Sequence, residues 1–503
     1  MKRRIFLGSM LSLPVAARAA NSPFEDTEWD YVIVGGGTAG MPAAIFAAYR
    51  GAKVLIVDAA KVIGGQLDRA FGQISAAGTH AQAAKGIKDH PDIHYDDIME
   101  ISQHKADPTI VRLCVDNAPE MLNWLLEGGL VPLPEHPVTG QGIGELRYSV
   151  PRYLWGANAG RDILAVLNRK MAPELKRGRI VTQLETQVTG LLTSDAGAVE
   201  GIRARSATGE HTFRGRHILI TTGGYASNPE IFTRLIGGPT YTTGTYPTNL
   251  GKGLEMATAV GGYLRGHALH QPGSGSVLTD NKYPAQVYVR FQTAPQERQP
   301  WEVWVNNAGR RFVKEDEPRP NNRARALVRQ PRYRYAIVFD QRILDTAPPG
   351  FPDWSRDKLM EHFQSHPMFH RGDSLEELAG KSGIDATGLR ETLAAYNASV
   401  QSGNDTFGRQ HLPMEIKTPP FYAVIHHGHS ATSSVGVVVD EHLRVVRLDG
   451  EPIPNLYAAG EALGAGVTLG DTFVPGMMLT PALTFGRLLG ERLPVAGITK
   501  VRR

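Results

Sequence analysis

The chain has 503 residues, 42% hydrophobic and 21% charged, the composition of a globular protein too large for a single core. Its one cysteine, Cys114, excludes an intrachain disulfide, a CxxCH haem attachment and a cysteine-held iron–sulfur cluster. Net charge is +4 and no nucleic-acid-binding motif accompanies it, so the arginines crowding Arg319 to Arg334 are expected to form a solvated face, with no nucleic-acid partner.

In chain order, the first 20 residues read as an address. MKRRIFLGSMLSLPVAARAA sets Arg3 and Arg4 before a short apolar run and a small-residue end, the pattern of a twin-arginine export signal, so a periplasmic location is expected. That run is far shorter than the roughly 20 residues of a membrane span, and none is predicted.

From Asp30 to Asp58 the chain reads as strand, glycine turn, alanine-rich helix and second strand ending in an acid. Gly35, Gly37 and Gly40 fill a GxGxxG pattern, in which the glycines serve a tight turn, backbone approach to a pyrophosphate and close packing of helix on strand. Asp58 stands where a carboxylate accepts hydrogen bonds from ribose hydroxyls. A dinucleotide-binding unit is predicted.

Thr182 to Leu192 alternates like a strand, and His217 to Ile231 gives an apolar strand running into glycines, a return to the same sheet. Residues 268 to 419 are richer in Pro, Arg and aromatics, with helices expected at Leu375 to Leu378 and Ala386 to Ser402, and form a candidate inserted domain. The first sheet is expected to resume at Phe421, so residues 28–267 and 420–503 make one domain around the insert. Near the C-terminus, NLYAAGEALGAG carries Glu461 beside another strand-to-glycine turn. Thr480 suits an N-cap and Pro481 the first position of a helix running on from Ala482, whose positive end would favour a reduced flavin.

These motifs carry a resemblance over nearly the whole mature chain. VGGGTAG, the Gly64 to Asp89 run, ITTGGYASN, the Gly251 to Ala257 run, VNNAGRRFVKE, ETLAAYNASVQSG, PPFYAV and NLYAAGE, in this order, resemble the flavoprotein superfamily of fumarate reductases, urocanate reductase and 3-ketosteroid Δ1-dehydrogenases. The resemblance implies an α/β protein: a Rossmann-like FAD-binding domain with an inserted α+β capping domain, and redox at a carbon–carbon bond beside a carbonyl. It implies FAD contacts at Gly35, Gly37, Ala39, Gly40, Asp58, Ala59, Gly64, Gly65, Gln66, Gln73, Ile74, Val188, Thr222, Gly223, Gly460, Glu461, Pro481, Ala482 and Leu483. No histidine occupies the family's flavin-linking position, so non-covalent FAD is expected.

Active-site carry-over is patchier. Arg319 follows Glu315 at the spacing of the proton-delivering arginine of fumarate reductases, and Arg152 coincides with an arginine of their HRP segment. The substrate-binding histidine and the second carboxylate-clamping arginine of those enzymes fall on Thr432 and Phe473. A buried, unpaired carboxylate costs several kcal/mol, so these losses point away from a dicarboxylate substrate. GMMLTPALTFG is closer to the ketosteroid-dehydrogenase pattern, although Phe473 stands nearest the tyrosine those enzymes use.

Abstracting an α-proton while hydride leaves the β-carbon requires a base, donors to the carbonyl oxygen and a dry pocket. Arg319, Tyr153 and His429 are the candidate catalytic residues, and Arg152, Tyr288, Thr432 and Phe473 the candidate substrate contacts. His426, His427 and His429 lack a carboxylate at ligand spacing, so no metal is expected. The expected activity is desaturation of a cyclic or apolar ketone. The alternatives are an ene-reductase of an unsaturated carbonyl or acrylate, and a flavin subunit that relays electrons; the external electron partner, whether cytochrome, quinone or O2, stays open.

Overall fold

A computed structural model describes residues 27–140, 147–239, 241, 245–281, 285–430 and 432–496. The expected export signal lies outside the described residues. Strand β1 (Glu28–Val34) is buried from Trp29 onward, as a strand covered on both faces must be. It runs through Gly35 into helix α1 (Gly40–Tyr49) and returns as β2 (Val54–Val57), parallel to β1 with Tyr31 opposite Val54. Two shorter strands follow, β3 (Ile180–Gln183) and β4 (Gln187–Thr193), where the alternating pattern suggested one. The turn between them lets β3 join β2 in parallel while β4 turns away to pair with β5 (Val199–Ser206).

Strand β6 (Gly209–Ile220) serves two partners along its 12 residues. Its first half pairs antiparallel with β5, and its apolar second half returns beside β1, Val34 against Ile220. The chain then leaves for a second sheet made of β7 (Gly273–Leu278), β8 (Val287–Arg290), β9 (Val303–Val305), β10 (Arg334–Asp340), β11 (Phe369–Gly372) and β12 (Phe421–His429), with helix α2 (Pro320–Val328) between β9 and β10. Among the described residues every pairing in this sheet is antiparallel.

One expectation is corrected here. The nine buried residues of β12 read like a strand of the first sheet, but they pair with β7, β10 and β11 of the insert. Periodicity reports burial on both faces and says nothing of which strand lies alongside. The first sheet resumes only with β13 (Arg444–Val446) and β14 (Pro452–Ala458), the latter parallel to β6 with Leu456 opposite Ile218. Its order is β13-β14-β6-β1-β2-β3. Short strands Leu264–Arg265 and Gly436–Val437 pair where the chain leaves and re-enters, so the insert hangs on a two-stranded neck. Helix α3 (Leu479–Arg492) closes the first domain against α1.

The architecture is thus an α/β dinucleotide-binding domain interrupted by an α+β cap, each with its own core. No described helix is long and apolar enough to cross a membrane.

Candidate active site and cofactor cavity

Parallel strands present ligands at their carboxyl ends, and here five such ends converge. Gly35 after β1, Asp58 after β2, Thr186 after β3, Thr222 after β6 and Glu461 after β14 all line one cavity of about 890 Å³. That volume lies within the ~300–1,000 Å³ typical of small-molecule and cofactor sites. The cap contributes the facing wall through Gln271, Ser274, Arg290, Pro320 and His429.

The glycine motif shows the division of labour expected of it. Gly35 has φ +100 and a Cβ there would stand 2.6 Å from the Thr221 carbonyl oxygen, so the turn admits no side chain. At Gly40 a Cβ would lie 2.0 Å from the Gly35 oxygen, which is helix packed on strand. At Gly37 a Cβ meets only Gly65 Cα, at 3.9 Å, so the space above it is open cavity in which a pyrophosphate fits. Asp58 accepts the Gly36 N–H at 2.7 Å and the Ala60 N–H at 2.8 Å. Burial raises its pKa, with those bonds from Ala60 and Gly36 opposing. Burial also raises Glu461, whose Oε1 accepts the Ser433 N–H at 2.7 Å and so ties the returning neck to the cofactor wall.

Of the residues matched to FAD contacts, Ala39, Ala59, Gly65, Gln66, Gln73, Val188, Gly223, Gly460, Pro481 and Ala482 also line the cavity. Gly40, Gly64, Ile74 and Leu483 stand behind that surface. Thr480 departs from its expected role: α3 begins at Leu479, and the Thr480 hydroxyl accepts the Ser75 N–H at 2.9 Å instead of capping a helix. The Gly476 carbonyl accepts the Thr480 N–H at 3.1 Å, so the helix starts earlier while Pro481 and Ala482 still face the cavity. The donor set, the glycine opening and the ribose-level carboxylate fit FAD.

The catalytic and substrate candidates divide sharply. Thr432, Phe473 and His429 line the cavity. Arg152 does not: it is wholly buried, forked onto Asp89 through two 2.8 Å bonds, paired with Asp97 and laid over the Tyr148 ring, so its guanidinium is spent inside the protein. Tyr153 is also wholly buried, with its ring on Trp155 and its hydroxyl in the interior rather than in the cavity. Tyr288 faces outward at 46% exposure, stacks on His366 and bonds His362 at 3.1 Å. Arg319 is exposed at the start of α2, its N–H donating to Glu317; Pro320 and Ala324 of the same helix form the cavity rim, but the Arg319 side chain does not line it.

His429 carries a further correction. Its Nδ1 lies 2.8 Å from the buried Ser276 hydroxyl, and burial, followed by the charge of Arg290, pushes its pKa down to about 3, opposed by a hydrogen bond to the Gly273 backbone. The ring is therefore neutral and held, which suits a fixed dipole better than a proton carrier. His426 and His427 are buried in the cap, each with one ring nitrogen lacking a partner, and outside the cavity lining.

Sequence reasoning missed Arg69, Lys252, His270, Arg290 and Met477 among the lining residues. Arg69, Lys252 and Met477 lie inside runs that carried the resemblance but no assigned role, and His270 and Arg290 lie in none; Arg290 ends a four-residue strand whose place over the cavity depends on the pairing of β8 with β7.

The profile of the FAD binding domain family matches residues 30–470. Among curated relatives, the fumarate reductase (cytochrome) of Shewanella frigidimarina is 29% identical over 491 residues, covering 94% of this chain and 78% of that protein. The 4-oxocyclohexanecarboxylate 2-dehydrogenase of Sinomonas cyclohexanicum is 26% identical and is covered to 92%, as is this chain. Among solved structures, the open conformation of a flavocytochrome c3 fumarate reductase matches with a TM-score of 0.68 at 26% identity, covering 93% of this chain and 78% of that one. The chain accordingly belongs to the FAD binding domain family, within the FAD-dependent oxidoreductases that include the fumarate reductases.

Proposed function

We propose that the protein desaturates the carbon–carbon bond beside the carbonyl of a cyclic or apolar ketone. The observation that carries this reading is the pair Thr432 and Phe473 on the cavity wall, beside apolar Leu269, Leu469 and Met477, at the positions where a dicarboxylate clamp needs a histidine and an arginine. A phenyl ring cannot neutralise a carboxylate, whereas it packs well on an alicyclic ring. Named activities among the relatives, fumarate reduction and oxidation of a cyclic oxo acid, bracket this chemistry.

Bound FAD supplies a two-electron acceptor for hydride. The chain's own residues hold the substrate between the cap and first-domain walls, exclude water and move the α-proton. Arg319 is the group we assign to the proton: it begins the helix whose Pro320 and Ala324 form the rim, and closure of the cap about its two-stranded neck is the motion assigned to bring the guanidinium over the substrate. A cavity walled by both domains supports catalysis over electron relay, since a relay site needs only an exposed flavin edge. Run in reverse, the same site would reduce an enone; this is the second reading, and the cyclic-ketone panel below decides direction.

The attachment is proposed as non-covalent. His80, the first histidine after the glycine-rich stretch, is exposed, pairs with Glu127 at 3.5 Å and does not line the cavity, so acid precipitation should leave the flavin in the supernatant. Export through the twin-arginine pattern of residues 1–20, and hence a periplasmic location, belongs to the same proposal.

The test is anaerobic mixing of the oxidised protein with saturated cyclic ketones, and of the reduced protein with enones, acrylates and fumarate, following the flavin absorption. Bleaching by a saturated ketone is expected. Turnover of fumarate at an ordinary enzymatic rate, on the order of 10 per second, would overturn the ketone reading.

A further inference from the structure

The cap wall carries a cation with no motif to announce it. Arg290 closes strand β8 and lines the cavity between the domains. Its charge is felt by His429 on the neighbouring part of the same wall. His429 is in turn immobilised: Ser276, wholly buried, meets its Nδ1 at 2.8 Å, and its ring lies so close on Gly273 that a Cβ there would stand 2.3 Å from Cε1. The carboxylates that line the cavity, Asp58 and Glu461, both stand on the first-domain wall, where Arg69 and Lys252 offset them, while the described cap lining carries Arg290 and no carboxylate. The cap end is therefore the electropositive end of the cavity, with a neutral imidazole dipole beside the guanidinium.

Desaturation beside a carbonyl places negative charge at one atom. As the α-carbon–hydrogen bond breaks, its electron pair moves toward the carbonyl oxygen and the α-proton goes to the base; as that charge returns, the carbon–carbon double bond forms and the β-hydrogen leaves as hydride, for which FAD, held by the first-domain wall, would be the two-electron acceptor. An oriented donor in a water-poor site stabilises that oxygen far better than solvent does. Phe473 has no donor to offer, and the Thr432 hydroxyl brings no charge.

We propose that Arg290 is the oxyanion anchor of the site, donating to the substrate's carbonyl oxygen and holding the enolate as it forms, and that Ser276 is a positioning residue acting through His429. This inference rests on the reaction proposed above, so its test must separate the two.

The probe is 4-fluorophenol, a planar mimic of a cyclic enolate, observed by fluorine NMR on the FAD-loaded protein. Free phenols ionise near pH 10, so at pH 7.5 the free probe is neutral. The expected result is a bound probe that is substantially ionised in the wild type. Arg290→Gln should bind it in the neutral form and at least about tenfold more weakly, with flavin content and melting temperature unchanged. Arg290→Lys should keep part of the ionised fraction, and Ser276→Ala should lower that fraction, which a purely structural serine would not do. A probe bound neutral by the wild type, or equally ionised in Arg290→Gln, overturns the proposal. So does a ketone turnover that Arg290→Gln leaves within twofold. If no ketone bleaches the flavin while the ionised probe still depends on Arg290, the anchor stands and the ketone reaction falls.

Discussion

The two walls of the cavity are built by different means. The first-domain wall is backbone: strand ends, turns and the openings left by glycines hold the cofactor position, with Asp58 and Glu461 as its carboxylates. The cap wall is side chain: Arg290, His429 held from behind by Ser276, and the rim of α2 line it. Cofactor recognition by main chain needs only a local strand–turn–helix unit, whereas substrate recognition by side chains depends on which distant strands pair. Mutations should therefore separate the walls, and within the first wall should separate cofactor space from packing space.

The largest effects are expected in the glycine motif, where two neighbouring positions should fail in opposite ways. Gly40→Val places a side chain 2.0 Å from the Gly35 oxygen and should destabilise the fold by more than about 4 kcal/mol in denaturant titration. Gly37→Val enters open space, so the apoprotein should melt nearly as the wild type while FAD retention on desalting is lost. A Gly37→Val protein that stays fully yellow would break the assignment of that space to the pyrophosphate.

Arg152 tests the boundary between site and scaffold. Removing it strands Asp89, fully buried, and Asp97, nearly so, without their cation, and breaking such a buried pair costs roughly 3–5 kcal/mol. Arg152→Ala should unfold early, with KM for any substrate little changed in whatever remains folded. Loss of activity without loss of stability would return Arg152 to the substrate.

Arg319→Ala should do the reverse, lowering turnover by about a hundredfold with FAD content and melting temperature near the wild type, as expected for losing a positioned proton-transfer group. Arg319→Lys should rescue it only in part. An earlier melt with normal turnover would mark Arg319 as an ion-pair residue of the cap.

The smallest effect concerns the strut between the walls. Arg325 of α2 forks onto Asp471 at 2.7 and 3.0 Å, and Lys105 of the first domain bonds the same carboxylate. Burial works to raise the Asp471 pKa, but the hydrogen bonds from Arg325 and Lys105 outweigh it and leave it below the ordinary 3.8. A depressed carboxyl contributes stability that is full above that ordinary value and is lost as pH falls through the lower folded value. Arg325 and Lys105 are part-exposed, so the contribution is about 1 kcal/mol or less after screening. Asp471→Asn should lower the melting temperature slightly at pH 7 and not at all well below pH 3.8, with KM raised a few-fold if the strut sets cap closure. A gap of equal size at both pH values would show that the strut does not depend on the Asp471 charge.

The sequence by itself determined the cofactor half. Gly35, Gly37, Gly40 and Asp58 are close along the chain, and each role follows from local geometry: a turn, an opening, a packing contact and a strand end. The wider FAD set came from resemblance, the insert from its change of composition, and the helix Ala386–Ser402 from the sequence pattern. Tertiary structure alone decided the rest. The same buried pattern that marks β6 as part of the first sheet misplaced β12, because burial does not name a partner strand. Arg152, Tyr153, Tyr288 and His429 have the chemistry of an active site, and only packing reveals that three of them point elsewhere and that the fourth is held neutral. Arg290 lines the cavity because β8 pairs with β7 and β7 with β12, the second contact joining residues more than a hundred positions apart, and no local spacing encodes that convergence.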